Sequence, residues 1–155
     1  MNELVYRNLS EDEKRQICAW KYGGEYDLYN LPSYEEMQVR QIGFMNPQRE
    51  KNYYGFWDES ILVGFVNILE EKEEIFIGIG VNPDLCNKHY GQRMLSITYE
   101  ISKKLYPNKP LYLEVRTWNI RAVKCYQKAG FRIDGQAYEL TTGIGTGIFY
   151  RMIRE

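Results

Sequence analysis

The spacing of apolar and polar residues changes along the chain, and each change marks an element. "ELVYRNL" alternates and predicts a first strand. Ser10 and Glu13 have capping-box spacing, in which each side chain satisfies a free amide at a helix start, so a helix through "EDEKRQICAW" should follow. "KYGGEYDLYNLP" carries two glycines, an Asn and a Pro and reads as a loop. Ser33 and Glu36 repeat the box before a second helix, "YEEMQVRQIGFM". The period then shortens. "NYYGFW" and "ILVGFVNIL" are strand-like across a "DES" turn, and "EIFIGIGV" follows "EEKEE" as the third strand of a meander. Over 88–105, Met94, Ile97, Ile101 and Leu105 define one apolar helical face, stopped by Pro107 and Pro110. "LYLEVRT" predicts a strand. "NIRAVKCYQKAG" predicts a helix with Asn119 as its N-cap and Gly130 closing it. "FRIDGQAYEL" and "GIFYRMIR" predict two closing strands around a flexible "TTGIGTG".

The order is β-α-α-β-β-β-α-β-α-β-β, an α/β or α+β chain. A helical crossover joins "EIFIGIGV" to "LYLEVRT", which makes those two strands parallel and the connection right-handed. The length of 155 residues fits one domain, 1–155, with no repeat or linker to divide it. An apolar share of 44% supports a core, and the net charge of −1 gives no electrostatic case for nucleic acid or anionic membrane. Cys18, Cys86 and Cys125 are odd in number and lack C-x-x-C spacing, so they read as free thiols of a reducing, cytoplasmic compartment. The charged start "MNELVYRNLSEDEK" is unlike a signal peptide, and no apolar run reaches the ~18 residues that span a bilayer.

Three stretches carry candidate chemistry. In "EIFIGIGV", Ile75, Ile77, Ile79 and Val81 share one face, and Phe76, Gly78 and Gly80 share the other. Bare glycines in a strand suit a bulge or a close approach by another backbone or an extended ligand, or space that a neighbouring aromatic fills. In "GVNPDLCNKHYGQRM", a helix start near Lys88 to Tyr90 presents unpaired amides and the positive end of a dipole, which suits an anion. Lys88 and His89 add charge and a donor, or they are ordinary surface residues of a solvated connection. The loop lacks the glycines of a phosphate cradle, but Asn87 and His89 are of the few other residue types enriched at positive φ. At least one of them is expected there. In "NIRAVKCYQKAGF", Asn119, Ala122, Val123, Tyr126 and Gly130 fall on one helix face. Tyr126 is either core or a proton donor: a phenol with a reference pKa of about 10 stays protonated at neutral pH and can protonate a thiolate, whose thiol titrates near about 8.5.

Together these stretches resemble the GNAT superfamily of acetyl-CoA-dependent N-acetyltransferases. The family segment V-x-P-x-x-[RQ]-G-x-G-x-[GA] is met at Val81, Pro83 and Gly91, and N-x-x-A-x-x-x-Y-x-x-x-G-F is met in full at Asn119, Ala122, Tyr126, Gly130 and Phe131. The resemblance implies a mixed, mostly antiparallel sheet flanked by helices, with a splayed parallel strand pair. It implies that acetyl-CoA is the acetyl donor and that no metal is needed. Pantetheine would bind the backbone around Ile79, Gly80 and Val81. The pyrophosphate would sit on the turn of Cys86, Asn87, Lys88, His89, Tyr90, Gly91 and Gln92, and Asn119, Ala122 and Tyr126 would complete the donor site. Tyr126 would act as general acid, and Glu74 as the base for the acceptor amine unless it is a solvated turn residue. Two departures stand out: Cys86 replaces Arg or Gln, and His89 replaces the central glycine. Cys86 as a nucleophile is a lesser possibility.

The resemblance places acceptor recognition in the last hairpin and in the segment between the first two helices. That segment holds Trp20, Tyr22, Glu25, Tyr26, Asp27, Tyr29 and Tyr34. Aromatics with carboxylates suit a cationic amine, or they cover the sheet. Tyr22, Glu25, Tyr26 and Tyr29 are the candidate substrate contacts. The acceptor is a small-molecule or peptide amine, and a homodimer is possible because the superfamily often forms one. The alternative function is a non-catalytic acyl-CoA sensor or subunit of the same fold.

Overall fold

A computed structural model describes residues 3–155. The chain forms two compact units: the chain up to Asn67 together with Ile79–Tyr90, and Ile68–Gly78 together with Gly91–Glu155.

In the first unit, β1 (Val5–Asn8) pairs antiparallel with β2 (Tyr53–Asp58), from Val5↔Trp57 to Asn8↔Tyr54. A turn with Glu59 at φ 55° leads to β3 (Ile61–Glu70), antiparallel to β2 with a register slip between Phe56 and Trp57. Helix α1 (Glu11–Ala19) starts as expected: Ser10 accepts from the Glu13 amide at 3.3 Å, and Glu13 accepts from the Ser10 amide at 2.9 Å. At α2 (Tyr34–Arg40), Ser33 accepts from the Glu36 amide at 3.1 Å, but the Glu36 carboxylate faces Arg40 at 3.7 Å. The second helix is shorter than the sequence suggests. Gln41 turns left-handed (φ 53°), and Gly43–Met45 forms a 3-10 turn that puts Phe44 and Met45 into the core beside Ile17, Cys18 and Met37. The expected loop also contains structure, a 3-10 helix at Gly24–Tyr29. Lys14 is buried against Glu11 (2.8 Å) and Glu50 (3.1 Å), which satisfies its charge.

In the second unit, β4 (Ile75–Val81) begins beside β5 (Leu111–Arg116) as the expected parallel pair. That ladder holds Ile75↔Leu111 and Phe76↔Tyr112. The crossover helix α3 (Tyr90–Leu105) buries Met94, Leu95, Thr98, Ile101 and Ser102. The expected apolar face is thereby rotated: Leu105 is exposed, and Thr98 is admitted because its hydroxyl donates to the Met94 carbonyl at 2.8 Å. Helix α4 (Ile120–Lys128) follows β5. "FRIDGQAYEL" is two strands, β6 (Arg132–Ile133) and β7 (Tyr138–Thr142), separated at Gly135 with φ 78°. Both pair antiparallel with β8 (Gly145–Arg154), as does β5 from Leu111↔Arg154 to Arg116↔Phe149. The stretch expected to be flexible is the tight end of the β7–β8 hairpin, where Thr141 and Thr146 hydroxyls lie 2.8 Å apart.

The strand order is β1-β2-β3-β4-β5-β8-β6, with β7 on β8. β4 and β5 are the parallel pair in an otherwise antiparallel set of described ladders. Among the described residues, no helix is long and apolar enough to cross a membrane.

Candidate active site

The connection from β4 to α3 is anchored at its start. The Asn82 amide donates to the Val63 carbonyl at 2.8 Å, and its side chain donates to the Leu62 carbonyl at 3.1 Å. Asn82 Oδ1 also accepts from the Asp84 amide and opens a 3-10 turn at Pro83–Leu85. Beyond it, Asn87 has φ 67° and His89 has φ 66°. Both residues named from the sequence adopt the left-handed conformation, at a cost of roughly 1 kcal/mol for a non-glycine residue. Left-handed residues set close together are a feature of backbone nests that bind anions. Asn87, Lys88 and His89 are exposed. Tyr90 donates its hydroxyl to Asp58 at 2.6 Å, which pins the chain end of this turn. Cys86 Sγ sits 3.8 Å from the Asn82 carbonyl.

On β4 the bare face at Gly80 is filled. A Cβ there would overlap the Phe65 ring, with Cζ at 2.8 Å. Phe65 lies among Trp20, Phe44 and Tyr53, with ring centroids 6.1 to 6.4 Å away. A neighbouring aromatic, one of the explanations the sequence offers for Gly80, fills that space. Ile79 and Val81 are half-buried, and the Val81 carbonyl accepts the Tyr22 hydroxyl at 2.6 Å. Tyr22 is therefore a brace onto β4, and its amide donates to Asn30 Oδ1 at 2.6 Å. Tyr26 and Tyr29 are half-buried and Glu25 exposed on the 3-10 helix.

Helix α4 is capped as expected, with Asn119 Oδ1 accepting from the Ala122 amide at 3.2 Å. Gly130 closes it at φ 94°, where a Cβ would meet Arg154 Nε at 2.9 Å. Ala122 and Tyr126 are half-buried on this helix.

Comparison with known proteins bears on this arrangement. The model of the acetyltransferase (GNAT) family matches residues 7–131. The chain belongs to the GNAT acetyltransferase family. It is 30% identical over 100 residues to a probable spermine N(1)-acetyltransferase of Bacillus subtilis subsp. natto (strain BEST195); the match covers 57% of this chain and 66% of that protein, a little under two thirds. A GNAT-family acetyltransferase from Bacillus anthracis shares the fold at TM-score 0.79 and 17% identity, over 98% of this chain and 94% of that one. Spermidine N-acetyltransferase from Vibrio cholerae, in complex with CoA and spermine, does so at TM-score 0.75 and 18% identity, over 97% and 94%.

In this GNAT chain Glu74 is not poised as a free base. Its carboxylate accepts two hydrogen bonds from Arg151, at 2.6 and 2.8 Å, and Arg151 also reaches Asp134 at 3.1 Å. The Arg151 guanidinium, through those hydrogen bonds first, holds the Glu74 pKa below the ordinary glutamate value. Arg151 is one of several polar residues that sequence reasoning passed over. Tyr112 donates to Glu71 at 2.8 Å and Tyr138 to Glu114 at 2.5 Å. Burial, followed by the carboxylate hydrogen bond, pushes both phenols well above their usual pKa. Arg151 lies over the Tyr112 ring at 4.5 Å. The signal was present in "LYLEVRT", where Tyr112, Glu114 and Arg116 alternate with buried Leu111, Leu113 and Val115. The strand pairing that joins this polar face to Arg151 was not written there. Burial also raises the Cys125 thiol, which makes it a poor nucleophile.

Proposed function

We propose that this chain is an N-acetyltransferase that moves an acetyl group from acetyl-CoA to a primary amine by direct attack. The family membership and the relative described as a probable spermine N(1)-acetyltransferase support the reaction class, and acetyl-CoA supplies an activated acetyl thioester when bound. The observation that carries the reading is the pair of left-handed residues, Asn87 and His89, ahead of α3. They fit a diphosphate: the amides of the exposed residues Asn87, Lys88 and His89, a lysine charge and the first amides of α3 at Gly91 and Gln92 would all favour an anion. Cys86 and Tyr90 flank this turn. The β4 backbone at Ile79, Gly80 and Val81 would hold the pantetheine amides, with Val81 offering its N–H since its carbonyl serves Tyr22. Asn119 and Ala122 set the start of α4 and thereby the position of Tyr126.

The acceptor nitrogen forms its bond to the acetyl carbon as the carbon–sulfur bond breaks. Tyr126 gives its proton to the departing sulfur. The nitrogen loses its own proton to water. Glu74 is assigned to fixing Arg151, because both of its oxygens are engaged and its basicity is reduced. Glu25, Tyr26 and Tyr29, braced through Tyr22, are the acceptor contacts on this reading.

The test has two readouts. Acetyl-CoA at 100 times its Kd should stabilise the protein by about 2.7 kcal/mol in thermal unfolding. Free-thiol release with an amine panel should show turnover, and Tyr126→Phe should lower kcat about 100-fold or more with little change in the acetyl-CoA KM. No thermal shift at millimolar acetyl-CoA would sink the proposal. A full shift without turnover of any amine would leave an acyl-CoA sensor.

A further inference from the structure

Arg154, the last residue of β8, ties that strand to α3 and α4 within the second unit. Its backbone is paired with Leu111 of β5, and Ile153 beside it is paired with Arg132 of β6. The side chain therefore starts from a fixed point. Its guanidinium lies on the Tyr99 ring of α3, with Cζ 3.6 Å from the ring centroid. Nη1 donates to the Ala129 carbonyl at the end of α4, at 2.9 Å. A cation so placed is favoured twice, by the face of the ring and by the negative end of the helix.

The last turn of α4 is built to receive it. The Gly130 amide donates to the Gln127 carbonyl at 3.0 Å and the Phe131 amide to the Tyr126 carbonyl at 2.9 Å, the two bonds of a Schellman ending. The Ala129 carbonyl lies outside that motif, and Arg154 satisfies it. A Cβ at Gly130 would lie 2.9 Å from Arg154 Nε and 3.1 Å from Cζ, so the glycine provides both the turn at φ 94° and the room for the guanidinium. Tyr126 is where this ending is tied to the helix. Its carbonyl accepts the Phe131 amide and also the Ala129 amide, at 3.1 Å. Phe131 is buried, which anchors the far side of the turn. A displacement of Ala129 is thus carried to the Tyr126 backbone through a single turn of hydrogen-bonded chain.

Resting on the reading of Tyr126 as general acid, we propose that Arg154 is a positioning residue for that acid. It holds the last turn of α4 against α3 and β8, and so sets where the Tyr126 hydroxyl meets the departing sulfur. The role requires no contact between Arg154 and either substrate. Proton transfer needs heavy atoms within about 2.6–3.2 Å, and a misplacement of about 1 Å can cost about 100-fold in rate.

The experiment is a kinetic cycle on the full chain, using the amine that gives the fastest acetyl-CoA-dependent thiol release. Arg154→Gln should lower kcat about tenfold at an unchanged acetyl-CoA KM. In a Tyr126→Phe background the same substitution should have no further effect on kcat, because the acid it positions is gone. Arg154→Lys keeps the charge and a donor but loses the planar stack, and should recover part of the rate. An unchanged kcat for Arg154→Gln, or equal slowing in both backgrounds, would overturn the proposal and leave the acetyltransferase reading intact. So would an Arg154→Gln protein without a cooperative melt whose rate Arg154→Lys does not recover, which marks a packing role. A Tyr126→Phe variant as fast as the parent chain would overturn the general-acid reading and this proposal with it. Absence of turnover with every amine would overturn both as well.

Discussion

Gly80 is the position where packing and ligand binding make different demands, so its substitution separates them. Gly80→Ala places a methyl 2.8 Å from Phe65 Cζ, inside contact distance. The ring is the far end of a side chain, yet it cannot simply swing aside. Trp20 and Phe44 hold it by tilted and edge contacts, and Tyr53 stacks on it. Forcing a carbon into a packed site of this kind costs about 1–3 kcal/mol. The intrinsic effect of Gly→Ala in a strand runs the other way, by roughly 0.5–1 kcal/mol. In a Phe65→Leu background the obstacle is gone, so the same substitution should be neutral or stabilising. Urea unfolding of the four proteins of the cycle should give a coupling of about 1–3 kcal/mol between the two positions. Additivity within about 0.5 kcal/mol would refute the account that Phe65 is why position 80 is glycine. Acetyl-CoA titration of the same proteins adds a second reading. If the ligand also uses the bare face, Gly80→Ala should weaken it even where stability is restored.

Glu74 and Arg151 make a pH prediction whose sign follows from the lowered Glu74 pKa. The pair stabilises fully above the unfolded glutamate pKa of about 4.3 and loses its contribution as pH falls through the lower folded value. Glu74→Gln should therefore cost about 1 kcal/mol at pH 7 and flatten that part of the acid limb in denaturant melts; an unchanged limb would show the pair to be inert. Asn67 is 8% exposed and its Oδ1 has no partner among the described residues, so Asn67→Leu should be neutral or raise stability by about 1 kcal/mol; a loss of more than that would show Oδ1 to be satisfied in solution. Ser10→Ala removes one half of the α1 capping box and should cost about 1 kcal/mol, read as a lower urea midpoint at constant m-value.

Much of the candidate donor site lay within short runs of sequence, and local physics is why it could be read. The capping serine of α1, the Asn119 cap of α4 and the left-handed Asn87 and His89 are all decided within a few residues of themselves. Steric limits on φ and the orphan amides of a helix start act at that range. Where local preference competed with burial, the reading slipped. The second helix gave way at Gln41 so that Phe44 could be buried, and the α3 stripe turned toward Thr98 because a hydroxyl can be satisfied by its own helix.

The two family patterns, the residue types able to make a tight turn without glycine and the order of elements up to the strand that splits at Gly135 can all be read along the chain. Tertiary contacts set Phe65 against Gly80, held Glu74 to Arg151 and buried Arg116 beside Phe149. Each of those depends on residues brought together by pairing and packing: Phe65 is 15 positions from Gly80 and Arg151 is 77 from Glu74. Desolvation and charge pairing act through space, and a one-residue change of strand register would have handed each of these side chains a different partner.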